Sequence, residues 1–124
     1  MIVRIFWGRL VPGAWPSVEQ VYRQFDAAHT AGLRARLVAQ DLNDSESMYT
    51  IAFWDDMASL QRWLDSDAYR QTFLPALRPF LTGSQSVSVC SARMEDMAGL
   101  MAQAGAGSER VRGAKIFGSG DAPG

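Results

Sequence analysis

Residues 54–73 read WDDMASLQRWLDSDAYRQTF, and the rest of the chain is organised around them. Trp54 closes an apolar run, and the carboxylates Asp55 and Asp56 follow at once. Met57, Leu60, Trp63 and Leu64 then recur at helical spacing, with Asp55 or Asp56 placed to cap the helix start. Ser66 opens a second helix that carries Tyr69, Phe73, Leu77, Phe80 and Leu81 on one face. Pro75 and Pro79 lack the N–H a helix needs, so they should kink or split its later part. Rings from a strand end and two short helices thus converge on one small volume. Such a cluster can wall a pocket for a flat ligand or simply fill a core, and at this level both readings stand.

Upstream, MYTIAFW (48–54) and LRARLVAQDL (33–42) read as strands and are separated by a short polar stretch, Asn43 to Ser47. They predict an antiparallel hairpin. Strict alternation would place Leu33, Ala35, Leu37 and Ala39 on one face, and Arg34, Arg36, Val38 and Gln40 on the other. Residues 17–29 carry Val18, Val21, Tyr22, Phe25, Ala28 and His29 at helical spacing. Ser17 and Gln20 are spaced as a capping box, and Gly32 serves as the stop. The first strand, IVRIFWGRL (2–10), is apolar on both faces, with Ile2 and Phe6 opposite Val3, Ile5 and Trp7. Downstream, SQSVSVCS (84–91) forms a last strand after Gly83. MEDMAGLMAQA (94–104) has the spacing of a short helix, and residues 105–124 hold six glycines. The expected organisation is one domain over 1–92 and a C-terminal extension over 93–124.

The order strand, helix, strand, strand, split helix, strand defines an α+β fold of the ferredoxin-like, split βαβ type. It has a four-stranded antiparallel sheet with helices on one face. A first strand that is apolar on both faces leaves the second sheet face in need of cover. A second copy supplies it, giving a homodimer through the sheet face, a dimeric α+β barrel.

Composition narrows function mainly by exclusion. The chain has 124 residues, 48% of them apolar, with a net charge of −1. No basic surplus points to nucleic acid or to a membrane surface. No apolar stretch approaches the ~20 residues of a membrane span, and MIVRIFWGRL does not read as a signal peptide, so a cytoplasmic protein is expected. Eleven of the twelve basic residues are arginine, which reads mainly as coding bias. Cys90 is the only cysteine, which rules out an internal disulfide and a multi-cysteine metal site; a buried structural thiol is expected. No metal site, phosphate-binding loop, dinucleotide fingerprint or hydrolase nucleophile motif is present.

The stretch from Trp54 through Asp55-Asp56 to LQRWLDSDAYRQTF (60–73) resembles the antibiotic biosynthesis monooxygenase family of dimeric α+β barrels, and the likeness spans about residues 1–92. One branch of that family oxidises polycyclic phenols or quinols with molecular oxygen and no metal or flavin. The resemblance therefore implies a cofactor-independent monooxygenase acting on a small aromatic molecule. Trp63 holds the place of the family's pocket tryptophan, and Arg34, Arg36, Tyr49 and Tyr69 are candidate polar partners. A second branch cleaves haem with an axial histidine ten residues after that tryptophan and an asparagine late in the first strand. Here those positions are Phe73 and Gly8, and a phenyl ring cannot ligate iron, so haem degradation is disfavoured. A non-catalytic ligand-binding or structural homodimer of the same fold is the alternative.

The candidate pocket residues are thus Trp63, Tyr69, Phe73, Arg34, Arg36, Tyr22, His29 and Tyr49. Each has a plainer reading beside it. Trp63, Trp54 and Tyr22 also suit a core. His29 at the end of the first helix suits the helix dipole, although it titrates near neutrality and can serve as a base. Trp7 suits the dimer interface, and Arg34 with Arg36 suits a solvated strand face.

Overall fold

The computed structural model describes residues 1–97. The chain divides into the units Met1–Ala92 and Arg93–Gly124. Residues 94–97 carry no regular secondary structure; from position 98 on, the expected helix over 94–104 and the glycine-rich tail lie outside the described residues.

In the first unit, strand β1 (Ile2–Leu10) leads through a turn to helix α1 (Trp15–Gln24). Strands β2 (Leu33–Gln40) and β3 (Ser47–Trp54) form the hairpin, and helix α2 (Met57–Asp65) follows. The chain then makes a wide π-type turn over Ala68–Phe73, a short helix α3 (Leu74–Leu77) and a 3-10 turn over Arg78–Phe80. Strand β4 (Leu81–Ser91) completes the sheet. All neighbouring strands are antiparallel, in the order β2-β3-β1-β4. This is the expected α+β ferredoxin-like arrangement.

The inner face of the sheet is set by register. Met48, Thr50, Ala52 and Trp54 of β3 are buried, and they face Gly8, Phe6, Arg4 and Ile2 of β1. Leu10, Val18, Met48 and Leu60 are the most completely buried large side chains, so the core lies between this face and the helices. The other face carries Val3, Ile5 and Trp7 beside Phe53, Ile51 and Tyr49, all part-exposed in the single chain.

Several local expectations are corrected. Helix α1 begins at Trp15 with Ala14 as its cap and Pro16 in its first turn, so Ser17 lies inside the helix and caps nothing. Proline is suited to a first turn because its missing N–H would find no partner there anyway. The helix stops at Gln24, and His29 belongs to a separate 3-10 turn, Ala27–His29. There Asp26 accepts from the His29 backbone N–H (3.2 Å) and ring Nδ1 (2.8 Å), which starts a new turn instead of extending the old one. Strand β4 begins at Leu81, so Gly83 is inside it. Cys90 is exposed, because β4 is an edge strand and its outer face is uncovered in the single chain.

The start of β2 holds the correction with most consequence. Leu33 pairs with Trp54 while Ala35 pairs with Phe53, so Arg34 is an extra residue in a bulge. Leu33 therefore shares the inner face with Arg36 and Val38, and strict alternation fails at this point.

Asp56 is the cap of α2, accepting from Ser59 N–H at 2.8 Å. That backbone hydrogen bond is the main cause holding its carboxyl below the ordinary value. The break after α2 follows from Ser66 and Pro75. The Ser66 hydroxyl donates to Trp63 O (2.6 Å), ending one helix, and accepts from Tyr69 N–H (3.1 Å), starting the next turn. Leu74 N–H reaches five residues back to Tyr69 O, just before Pro75, whose ring excludes the ordinary helical bond.

Gly13 and Gly32 both have positive φ, +79° and +82°. A side chain at Gly13 meets open space, whereas one at Gly32 collides with Ser59 of α2. Gly13→Ala is expected to cost about 1–2 kcal/mol of unfolding free energy for the backbone alone. Gly32→Ala should cost clearly more, about 3 kcal/mol once the collision is added. Urea denaturation of the two variants checks the difference, and equal costs would show that α2 does not pack closely on Gly32.

Candidate functional site

One cross-strand row crosses the inner face as Arg36, Ala52, Arg4 and Val89, read from β2 to β4. Two arginines thus flank an alanine beneath the helices. A small side chain between two long ones leaves space in the row, and two guanidinium groups there need acceptors.

Arg36 finds them at the end of α1. Its Nη2 donates to the carbonyls of Tyr22 (3.0 Å) and Phe25 (2.5 Å), and its Cζ lies 5.0 Å from the Tyr22 ring centroid. The guanidinium so closes the carbonyl end of the helix and stacks on its last aromatic residue. Burial lowers its pKa from the ordinary value, opposed by Tyr22 and Asp26, and a guanidinium remains charged throughout. The Tyr22 hydroxyl pairs with Thr50 Oγ1 at 2.9 Å on the sheet. Burial pushes the Tyr22 phenol up, while the Thr50 hydrogen bond and the charges of Arg36 and Arg4 pull it down.

Arg4 is held differently. Its Nε is buried and has no hydrogen-bond partner among the described residues, and the same is true of Trp54 Nε1. Arg4 stands opposite Ala52, and Trp54 is two residues further along β3 on the same face. The two residues are therefore diagonal neighbours.

The helical side of the site is aromatic. Phe73 packs edge-on against Tyr22 (5.3 Å between centroids), Phe25 (5.3 Å) and Trp63 (6.0 Å), and lies stacked on Tyr69 (5.9 Å). Trp63 meets Tyr69 at 5.5 Å and Phe25 at 6.2 Å. The wide turn over Ala68–Phe73 brings Tyr69 and Phe73 to the sheet together, and π-type turns are frequent at functional sites.

Between rings and sheet are two small cavities of about 40 Å³ each. Arg4, Tyr22, Tyr69 and Phe73 line both. One extends to Arg36, Trp54 and Trp63, the other to Phe6, Leu81 and Gln85. No carboxylate lines either of them. Each has room for a few waters or one end of a ligand, not for a polycyclic ring system. A wider cleft of about 190 Å³ lies on the far side of Trp63, bordered by His29, Thr30, Arg62 and Ser66. Trp63 lines both the cleft and an inner cavity.

Of the residues expected at a pocket, Tyr22, Arg36, Trp63, Tyr69 and Phe73 meet around these cavities. His29 borders the outer cleft. Arg34, turned away by the bulge, pairs with Asp55 at 3.1 Å near the surface. Tyr49 lies on the outer sheet face opposite Trp7. Sequence reasoning missed Arg4, although a lone charge alternating with Ile2 and Phe6 on the first strand was a visible signal. Trp54 is buried in the core as expected, but its indole N–H has no partner there among the described residues. Among the described residues no group of three His, Cys, Asp or Glu side chains could hold a metal ion. No helix among them is long and apolar enough to cross a membrane.

The family model for antibiotic biosynthesis monooxygenase matches residues 1–73. Among solved structures, one of an antibiotic biosynthesis monooxygenase is 19% identical, with a TM-score of 0.65, covering 76% of this chain and 100% of that one. SnoaB, a cofactor-independent oxygenase from Streptomyces nogalater solved in a mutant form, is 21% identical with a TM-score of 0.66, over 77% of this chain and 95% of its own. A protein from Pseudomonas aeruginosa is 21% identical with a TM-score of 0.61, over 75% and 94%. No curated protein matches the chain. At these identities the structural likenesses establish the fold.

Removing the charge that closes α1 should be felt in stability. Arg36→Met is expected to lower the unfolding free energy by about 2–3 kcal/mol through the lost charged hydrogen bonds. Thermal and urea denaturation check this. An unchanged stability would mean that water serves the α1 carbonyls equally well.

Proposed function

The chain belongs to the antibiotic biosynthesis monooxygenase family, and from that membership we propose that it oxidises an aromatic phenol or quinol with molecular oxygen, using no metal or flavin. The observation that carries this reading is an aromatic wall, Trp63, Tyr69 and Phe73, facing two guanidinium groups of the sheet in a space with no carboxylate. A flat ring stacks on the wall, and its oxygen substituent turns toward positive charge. Such a site favours the electron-rich, ionised form of a phenol, which gives an electron to oxygen more readily than the neutral form does. In the oxidation of an anthrone, the ring CH₂ becomes a carbonyl. One oxygen atom of O₂ enters the product and the other leaves as water, so the substrate supplies every electron. The protein contributes position, exclusion of water and electrostatic stabilisation. Substrate reaches the inner space from the cleft beside His29 when the Trp63 indole swings aside.

One feature supports a second reading, a non-catalytic ligand-binding or structural dimer. Among the described residues the rings pack on one another, and the two cavities between them and the sheet are of about 40 Å³ each. Haem degradation stays disfavoured. Phe73 is enclosed by other rings, and a side chain at Gly8 would meet the Phe6 ring at 2.8 Å.

The homodimer belongs to the same proposal. The outer face offers Val3, Ile5, Trp7, Ile51 and Phe53 in adjoining register positions, with Leu37 52% exposed beside them. A second copy has the same apolar face and covers it across a twofold axis.

Oxygen uptake with a panel of anthrones and quinols, corrected for autoxidation, is expected to exceed the blank and to fall at least about tenfold in Trp63→Phe, a loss of ~1.4 kcal/mol in transition-state stabilisation. Uptake no faster than the blank across the panel would favour the non-catalytic reading. Sedimentation equilibrium should give twice the 13.6 kDa of one chain, and Ile51→Glu, which puts a charge at the centre of the outer face, should shift it to the monomer.

A further inference from the structure

We propose that Arg4 Nε and Trp54 Nε1 together form an oxyanion subsite, which seats the ionised phenolic or enolic oxygen of the ligand against the sheet. The inference rests on the reading that the inner cavity is the ligand site.

Both groups are donors only. Both are buried without a partner among the described residues, and both residues line the same cavity of about 40 Å³. Strand register makes them diagonal neighbours on one face, so both side chains rise from the same stretch of the sheet. The other polar groups around them are committed. Arg36 is held by the α1 carbonyls, and the Tyr22 hydroxyl by Thr50. The titratable groups that face Arg4 are Tyr22 from α1, Arg36 from β2 and Tyr69 from the wide turn, and none of them is a carboxylate. An unpaired buried donor is destabilising, and two of them on residues that line one void with no carboxylate describe a place for an anionic oxygen. The void is too small for a ring system but large enough for the oxygen end of one. The ring itself must therefore take space now held by Trp63, Tyr69 or Phe73. This orients the ligand with its ionised oxygen toward β1 and β3 and its ring edge toward the cleft.

The probe is 4-nitrophenol, whose phenolate absorbs at longer wavelength than the phenol, titrated with pH in the presence of the full-length protein. Bound to the wild type, its ionisation is expected to move down by about one pH unit or more, the usual effect of an adjacent guanidinium. In Arg4→Met, a neutral side chain of similar length, the shift should disappear. In Trp54→Phe it should shrink, and in Arg34→Met, outside the cavity, it should persist. Arg4→Met should fold with a Tm no lower than the wild type, since it removes a buried donor that nothing satisfies. The proposal is overturned if wild-type protein leaves the probe unbound or its ionisation unmoved, if the shift survives both cavity variants, or if loss of Arg4 markedly lowers Tm. The shift is read without turnover. A shifted probe with no oxygen uptake sinks the oxygenase reading and leaves the subsite standing; uptake with an unshifted probe does the reverse.

Discussion

Two guanidinium groups placed under the helices are the constraint on which the inner half of this domain depends. A charge taken out of water must be paired or hydrogen-bonded, or it weakens the fold. Arg36 meets that demand with the carbonyl end of α1, so one side chain both satisfies itself and fastens a helix to the sheet. Arg4, two strands away in the same row, does not meet it through Nε. The row therefore divides into a structural half and an unsatisfied half. Native proteins keep few buried groups without partners, and unsatisfied ones tend to persist where a ligand completes them.

The aromatic side of the site is built on the opposite principle. Rings meeting edge to face make many weak contacts and few directional ones, so the cluster can rearrange at modest cost. Its two central rings, Tyr69 and Phe73, come from a wide turn followed by a helix of only four residues. The wide turn departs from regular helical hydrogen bonding, yet it seats Phe73 in the core between sheet and helices. The sheet side is rigid and charged, and the helical side is apolar and adaptable. A ligand site made this way takes its orientation from the first and its size from the second.

Much of this was legible beforehand. Alternation and helical spacing give the element order, and the carboxylate at position 56 and the serine at position 66 mark where helices begin. Pro75 and Pro79 foretell a broken helix, because a missing N–H has the same effect in any context. What was not legible comes from interactions between distant segments. Ala14 starts α1, yet nothing in its side chain says so. His29 leaves the helix because Asp26 captures it, a local competition that a periodic pattern overlooks. Arg34 and Arg36 look equivalent two residues apart, and only pairing with β3 shows that one is at the surface and the other beneath a helix. Arg4 was visible as a charge but not as an unsatisfied one, since satisfaction depends on partners brought in from β3, α1 and the wide turn. Exposure of Cys90 likewise follows from the position of β4 at the sheet edge, which topology decides.

The bulge at Arg34 has a consequence for how this chain tolerates change in length. One additional residue at the start of β2 lets Leu33 and Arg36 share a face despite an odd separation. Deleting Arg34 would remove the bulge and let Leu33 and Ala35 pair in plain alternation with Trp54 and Phe53, while Arg36 and Leu37 keep the faces they have now. Helix α1 would keep its clasp on Arg36, and only the surface pair of Arg34 with Asp55 would be lost. In a lineage of such proteins this position should accept many substitutions, since the Arg34 side chain contributes only a surface ion pair, and also its own deletion, since the pairs on either side of it already fall on consecutive residues of β3. What is preserved there is the register of β2 on β3 and not the number of residues at its start.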